Sequence, residues 1–178
     1  MKKSKIKFVA ALFILAALGI QAGYAQQYTD NVTLQVVLKP VQNISVNTNQ
    51  LTVALAFEKA SDYLKGVTST QKSHLEVSST GLFQVAVKAS TENLENADNK
   101  IPVKTITITP KFGGSGTDPG AVPSAIKLSN ENQIILDSEK GTVQAFYDVE
   151  YNSSGGADYI NKPEGTYTTT VTYTISPT

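Results

Sequence analysis

The chain has no cysteine, no tryptophan and no arginine, one histidine and one methionine in 178 residues. Without cysteine there is no disulfide framework, no thiol nucleophile, no lipobox anchor, no haem attachment and no Cys-based zinc site. A lone histidine leaves too few nitrogen ligands for zinc, which takes three or four N and S donors. Without arginine, and with the remaining basic residues scattered, the clustered cations that hold nucleic-acid phosphates are missing. Helical periodicity is scarce after residue 26, and no apolar run reaches the roughly 20 residues a membrane helix needs. No cofactor, no metal, no nucleic acid and no membrane span are therefore expected in the processed chain.

The cations that are present are unevenly placed. Lys2, Lys3, Lys5 and Lys7 precede the apolar run 8–20, and small residues follow at Gly23 and Ala25. A basic start, a short apolar stretch and a small-residue cleavage site read as a secretory leader over residues 1–25. Its removal leaves residues 26–178, expected as one domain of 153 residues with a net charge of −4. The expected location is outside the cytoplasm: periplasm, cell surface or medium. A domain of this size buries roughly 70% of its unfolded surface and can hold a core without disulfides.

Alternation with period 2 dominates the processed chain. Val32, Leu34, Val36 and Leu38 share one face of a predicted strand over residues 31–39, which Pro40 ends. Further strands are expected over 43–47, 51–57, 67–70, 74–78, 83–88, 103–109, 125–128, 133–136, 142–151 and 166–176. The turn Ser79-Thr80-Gly81 suggests that 74–78 and 83–88 form a hairpin. Residues 58–66 are the one candidate for a helical turn. Residues 93–100 read as a charged loop, and 111–124 and 152–165 as Gly-rich loops. Counting the short stretches among these eleven only as candidates, eight to ten strands without intervening helices imply an antiparallel β-sandwich. The 20 threonines suit its solvent faces, being β-branched and half polar.

The closing run Gly165-Thr166-Tyr167-Thr168-Thr169-Thr170-Val171-Thr172-Tyr173-Thr174-Ile175-Ser176 resembles the last strand of exported bacterial immunoglobulin-like sandwiches. WxL-type cell-surface domains and spore-coat-U-type pilins end in a similar Gly-x-Tyr followed by alternating Thr and apolar residues. Tyr173 stands near the place of the WxL tryptophan, and the cysteine pair common in pilins is missing. The resemblance implies an immunoglobulin-like secreted sandwich with a structural or adhesive role at the cell surface.

Several constellations could carry chemistry. Ser69-Thr70-Gln71-Lys72 and Ser124-Ala125-Ile126-Lys127 have the S-x-x-K spacing of serine β-lactamases and penicillin-binding proteins, but neither S-D-N nor K-T-G accompanies them. His74 would have to serve any Ser-His-Asp triad, and reads as a solitary surface histidine at a strand start. Asp148 and Glu150 share a strand face, with Asp158 on the following loop, a set that could act on glycosides or hold calcium but that reads as solvated charge. Tyr147, Tyr151, Tyr159, Tyr167 and Tyr173 gather in the last third. Tyr167 and Tyr173 are expected in the core, Tyr167 as a tyrosine corner with its hydroxyl on backbone. Tyr159, in a Gly-rich loop, and Tyr151 are the candidate binding residues. The expectation is a non-catalytic exported surface protein, pilus-like or otherwise part of the envelope, whose partners are envelope proteins or further copies joined by strand pairing. The alternative is a stand-alone carbohydrate-binding module that takes glycans.

Overall fold

The computed structural model describes residues 27–178, so the expected leader lies outside the described residues. The chain divides into two compact units, Met1–Val37 and Leu38–Thr178. In the described part of the first, residues 27–37, no strand or helix forms. The expected strand over 31–39 is thus corrected. The alternation is real, but a strand needs a hydrogen-bonding neighbour, and no ladder among the described residues includes this stretch.

The second unit holds eleven strands in chain order: β1 (Gln42–Val46), β2 (Thr68–Ser79), β3 (Phe83–Ala89), β4 (Asn93–Asn96), β5 (Asn99–Pro102), β6 (Ile106–Gly116), β7 (Val122–Pro123), β8 (Ile126–Lys127), β9 (Gln133–Ser138), β10 (Thr142–Ser153) and β11 (Val171–Pro177). One helix, α1 (Ala60–Lys65), occupies the expected helical turn. One sheet has the order β1-β2-β10-β6-β8 and the other β11-β3-β9-β7, with β4-β5 as a separate hairpin. Every pairing is antiparallel. An immunoglobulin-type sandwich sets a sheet of strands ABED against one built on C, F and G. Here β1, β2, β10 and β6 stand in the A, B, E and D places, and β3 and β11 in those of C and F. The protein is an all-β, antiparallel, immunoglobulin-like sandwich.

The two sheets meet over Leu75, Val77, Phe83, Val85, Val87, Ile108, Leu136, Ala145, Tyr147 and Val149, each 0–1% exposed. Burying a side chain of this kind is worth roughly 1.5–3 kcal/mol, which explains why strict alternation predicts these faces. Four local expectations need correction. β2 and β3 are not a hairpin: β2 lies between β1 and β10, and β3 between β11 and β9, so Ser79–Gly81 carries the chain from one sheet to the other. The charged stretch 93–100 is largely the hairpin β4-β5, with Leu94 opposite Ile101 and Ala97 turning at φ +50°. Pro110 does not end a strand. β6 runs through it to Gly116, because β8 pairs only with Thr107 and Ile108 and Pro110 faces a free edge where no N–H is needed. The last strand begins at Val171 rather than Thr166, preceded by a single bridge between Thr168 and Glu95.

Candidate functional site

One side of the sandwich is open. β11 is the last strand of its sheet, and among the described residues nothing stands in the G place beside it. Its inward residues Val171, Tyr173 and Ile175 pack against the core yet stay only half-buried, while Thr172, Thr174 and Ser176 are exposed on the other face. β1 comes close to β11 across the sandwich. The chain then turns through a 3-10 turn at Thr48–Gln50 and continues as residues 51–57. There Val53, Leu55 and Phe57 are half-buried, alternating with exposed Thr52, Ala54 and Ala56, and Val53 and Leu55 touch the core cluster. The sequence predicts a strand here, and the alternation is kept. No strand forms, because no backbone N–H or C=O of residues 51–57 finds a partner among the described residues. A half-covered apolar lining, a free edge and an unpaired neighbouring segment are what one missing strand would leave.

A buried polar relay ties the two flanks of this opening together. His74 on β2 is 2% exposed, not the surface residue expected. A bulge turns it inward. Tyr147 and Val149 of β10 face Leu75 and Gln71, so two steps on β10 match four on β2, and Ser73 takes φ +46°. Asp148 fits against the bulge. Its carboxylate accepts from the Lys72 ammonium at 2.6 Å and from the Ser73 N–H at 2.8 Å. Burial raises its pKa, but these two donors outweigh that, and it lies below the usual carboxylate value.

The direction of the relay follows from its ends. Gln50 Nε2 donates to the Lys72 carbonyl at 2.9 Å, which leaves Gln50 Oε1 facing His74 Nδ1 at 2.9 Å. An amide oxygen only accepts, so Nδ1 carries the proton and Nε2 is bare in neutral His74. Tyr151 then donates its hydroxyl hydrogen to Nε2 at 2.8 Å and accepts from the Tyr173 hydroxyl. The rings of Tyr151 and Tyr173 meet His74 edge-on, with centroids 5.6 and 6.1 Å away. Burial depresses the His74 pKa and pushes the Tyr151 hydroxyl up to about 12.

The other sequence-predicted residues are placed as follows. Tyr151 and Tyr159 are 6% and 8% exposed, which corrects the expectation that they present a binding surface. Tyr151 faces inward on β10, and Tyr159 stacks on Phe57 with its hydroxyl 2.7 Å from Thr105 Oγ1. Tyr167 is half-buried, precedes β11 and lies outside the core cluster, which corrects its expected core place, while its hydroxyl donates to the Pro163 carbonyl at 2.9 Å, the backbone bond expected of a tyrosine corner. Ser69 and Lys72, three apart on a strand, point to opposite faces, and Lys72 is held by Asp148. Gln50 and the bulge at Ser73 escaped the sequence reading, since neither belongs to a local motif.

No protein-family profile matches the chain, and no curated protein matches it. A chain of a solved chaperone–usher pilus is similar to it at 10% identity, over 86% of this chain and 97% of that one, with a TM-score of 0.43.

Proposed function

We propose that the protein is an exported, non-catalytic structural subunit of a cell-envelope polymer, each copy docking the alternating segment 31–39 of another copy on its open edge. The observation that carries this reading is a match between two features of one chain. Val32, Leu34, Val36 and Leu38 are 93%, 87%, 75% and 89% exposed, although their spacing is that of a strand with one face buried. The open edge of β11, seven residues long, lacks one strand of that length. Strand addition supplies main-chain hydrogen bonds from the edge and side-chain contacts from every second residue. Partnering with further copies, or with envelope proteins that present a similar segment, follows from this chemistry. Glycan binding finds no support in the aromatic residues proposed for it, because Tyr151 and Tyr159 are both spent on internal contacts.

The test is the assembly of the full chain carrying Leu34→Asp and Val36→Asp. Each apolar side chain withdrawn from water is worth roughly 1.5–3 kcal/mol, so the pair should weaken association by at least two orders of magnitude. The urea midpoint should stay put, because exposed positions usually move stability by only about ±0.5 kcal/mol. Sedimentation showing that the double variant assembles like the parent would overturn the reading.

A further inference from the structure

The relay Gln50–His74–Tyr151–Tyr173 has one titratable member that changes charge near neutral pH, and it reaches both flanks of the open edge. Gln50 immediately precedes residues 51–57, and Tyr173 lies within β11. We propose that this relay is an acid-sensitive latch on the docking edge: neutral His74 keeps every relay hydrogen paired while β11 accepts a strand, and protonated His74 leaves an unpaired hydroxyl hydrogen at the β11 end. The inference rests on the strand-docking reading above.

The mechanism follows from donor and acceptor counting. In neutral His74 every hydrogen in the relay has one acceptor, running from Tyr173 to Tyr151, from Tyr151 to Nε2, and from Nδ1 to Gln50. A proton taken from solvent by Nε2 makes that atom a donor. Tyr151 must then accept from it and turn its own hydrogen away from Nε2. Whether that hydrogen displaces the Tyr173 donation or points elsewhere, one of the two hydroxyl hydrogens is left without an acceptor in the relay. The Nδ1–H bond to Gln50 is untouched, so the change falls on the β11 end.

The new charge also finds no counter-ion among the described residues. From β10 and β11 the groups packed against His74 are the neutral hydroxyls of Tyr151 and Tyr173, and from the 3-10 turn the uncharged Gln50. On its own strand, Lys72 is engaged by Asp148, and Glu76 accepts from Gln144. Burial lowers its pKa. An unpaired buried charge is disfavoured, and a docked strand, by covering the edge, deepens the burial. Docking and protonation therefore oppose each other, and by linkage acid weakens docking.

His74 is the chain's single histidine, so its imidazole signals are unambiguous. The experiment uses the full chain with Leu34→Asp and Val36→Asp, which silences its own segment. The probe is a fluorescent, end-blocked peptide of residues 31–39, a sequence with no group that titrates between pH 5 and 7.5. Anisotropy should show binding at pH 7.5 and binding several-fold weaker at pH 5. In 15N-edited spectra, saturating probe should lower the His74 midpoint by about one pH unit, the shift that bounds this loss at about ten-fold. His74→Gln should bind the probe equally at both pH values. Should that variant not fold, the midpoint in the His74 chain decides. Binding that is the same at both pH values, or a midpoint unmoved by probe, overturns the latch alone. Absence of binding at every pH overturns the docking reading and the latch with it.

Discussion

The direction of the relay makes two conservative substitutions unequal. Tyr151→Phe deletes the hydroxyl in the middle. It leaves His74 Nε2 as a buried acceptor without a donor, and the Tyr173 hydroxyl as a donor without an acceptor. Each orphaned buried group costs about 1–3 kcal/mol, so the variant should lose on the order of 2–4 kcal/mol. Tyr173→Phe deletes the outer hydroxyl. Tyr151 still donates to Nε2 and loses only one of the hydrogens it can accept, so the loss should stay near about 1 kcal/mol. Urea unfolding at pH 7.5 separates the two. With a slope of roughly 1–3 kcal/mol per molar, Tyr151→Phe should move the midpoint by about 1–2 M and Tyr173→Phe by a few tenths. Equal shifts, or a larger one for Tyr173→Phe, would refute the assigned direction and with it the neutral Nδ1–H form of His74.

Three further outcomes are expected. Leu75→Ala, at a fully buried position, should cost about 2–5 kcal/mol in urea unfolding, and Leu64→Ala, 76% exposed on α1, within about ±0.5 kcal/mol. Gly66→Ala should be worse than Gly156→Ala in thermal melts: both take positive φ, +81° and +84°, but a Cβ at Gly66 runs into the Ser153 carbonyl whereas one at Gly156 meets open space. A urea midpoint followed against pH should fall in two separate windows. The folded His74 pKa lies below its unfolded value of about 6.5, so the unfolded chain takes the proton first and stability drops as pH falls below that value, levelling once the folded form also titrates. The Asp148 pKa is depressed, so its contribution is present above its unfolded value near 3.8 and is lost as pH falls through the lower folded value. His74→Gln should erase the upper window and leave the lower one.

Most strands were legible because a half-buried strand has to alternate, and the core faces of β2, β3, β10 and β11 follow that rule. What period 2 does not encode is the identity of the neighbour. The stretches 74–78 and 83–88 reverse the chain at a tight turn, as a hairpin would, yet belong to opposite sheets. Residues 31–39 alternate as well as any internal strand, because the rule concerns which side chains are buried and not whose chain buries them. The relay was out of reach for a different reason. His74 and Leu75 are adjacent and both buried, which alternation forbids, and only the bulge at Ser73 makes it possible. Tyr151 stands among the candidate binding residues because the partner of its hydroxyl, His74, lies 77 positions away and no local pattern reveals it.

The edges of the two sheets differ in a way that bears on function. Exposed edges invite pairing with other chains, and natural sandwiches shorten or cover them. On one side this protein does so: β7 and β8 are two residues each. On the other, among the described residues, seven residues of β11 stay open, the apolar row Val171, Tyr173 and Ile175 is half-covered, and residues 51–57, whose Val53 and Leu55 touch the core, make no backbone hydrogen bond. No proline interrupts that edge before Pro177, and no charge lies on it, since Thr172, Thr174 and Ser176 are neutral. A sheet edge that is long, uninterrupted and uncharged keeps its backbone groups available for pairing. On the docking proposal the alternating segment 31–39 would supply the complementary half of that pairing, and the aspartate pair at Leu34 and Val36 tests it without touching the core.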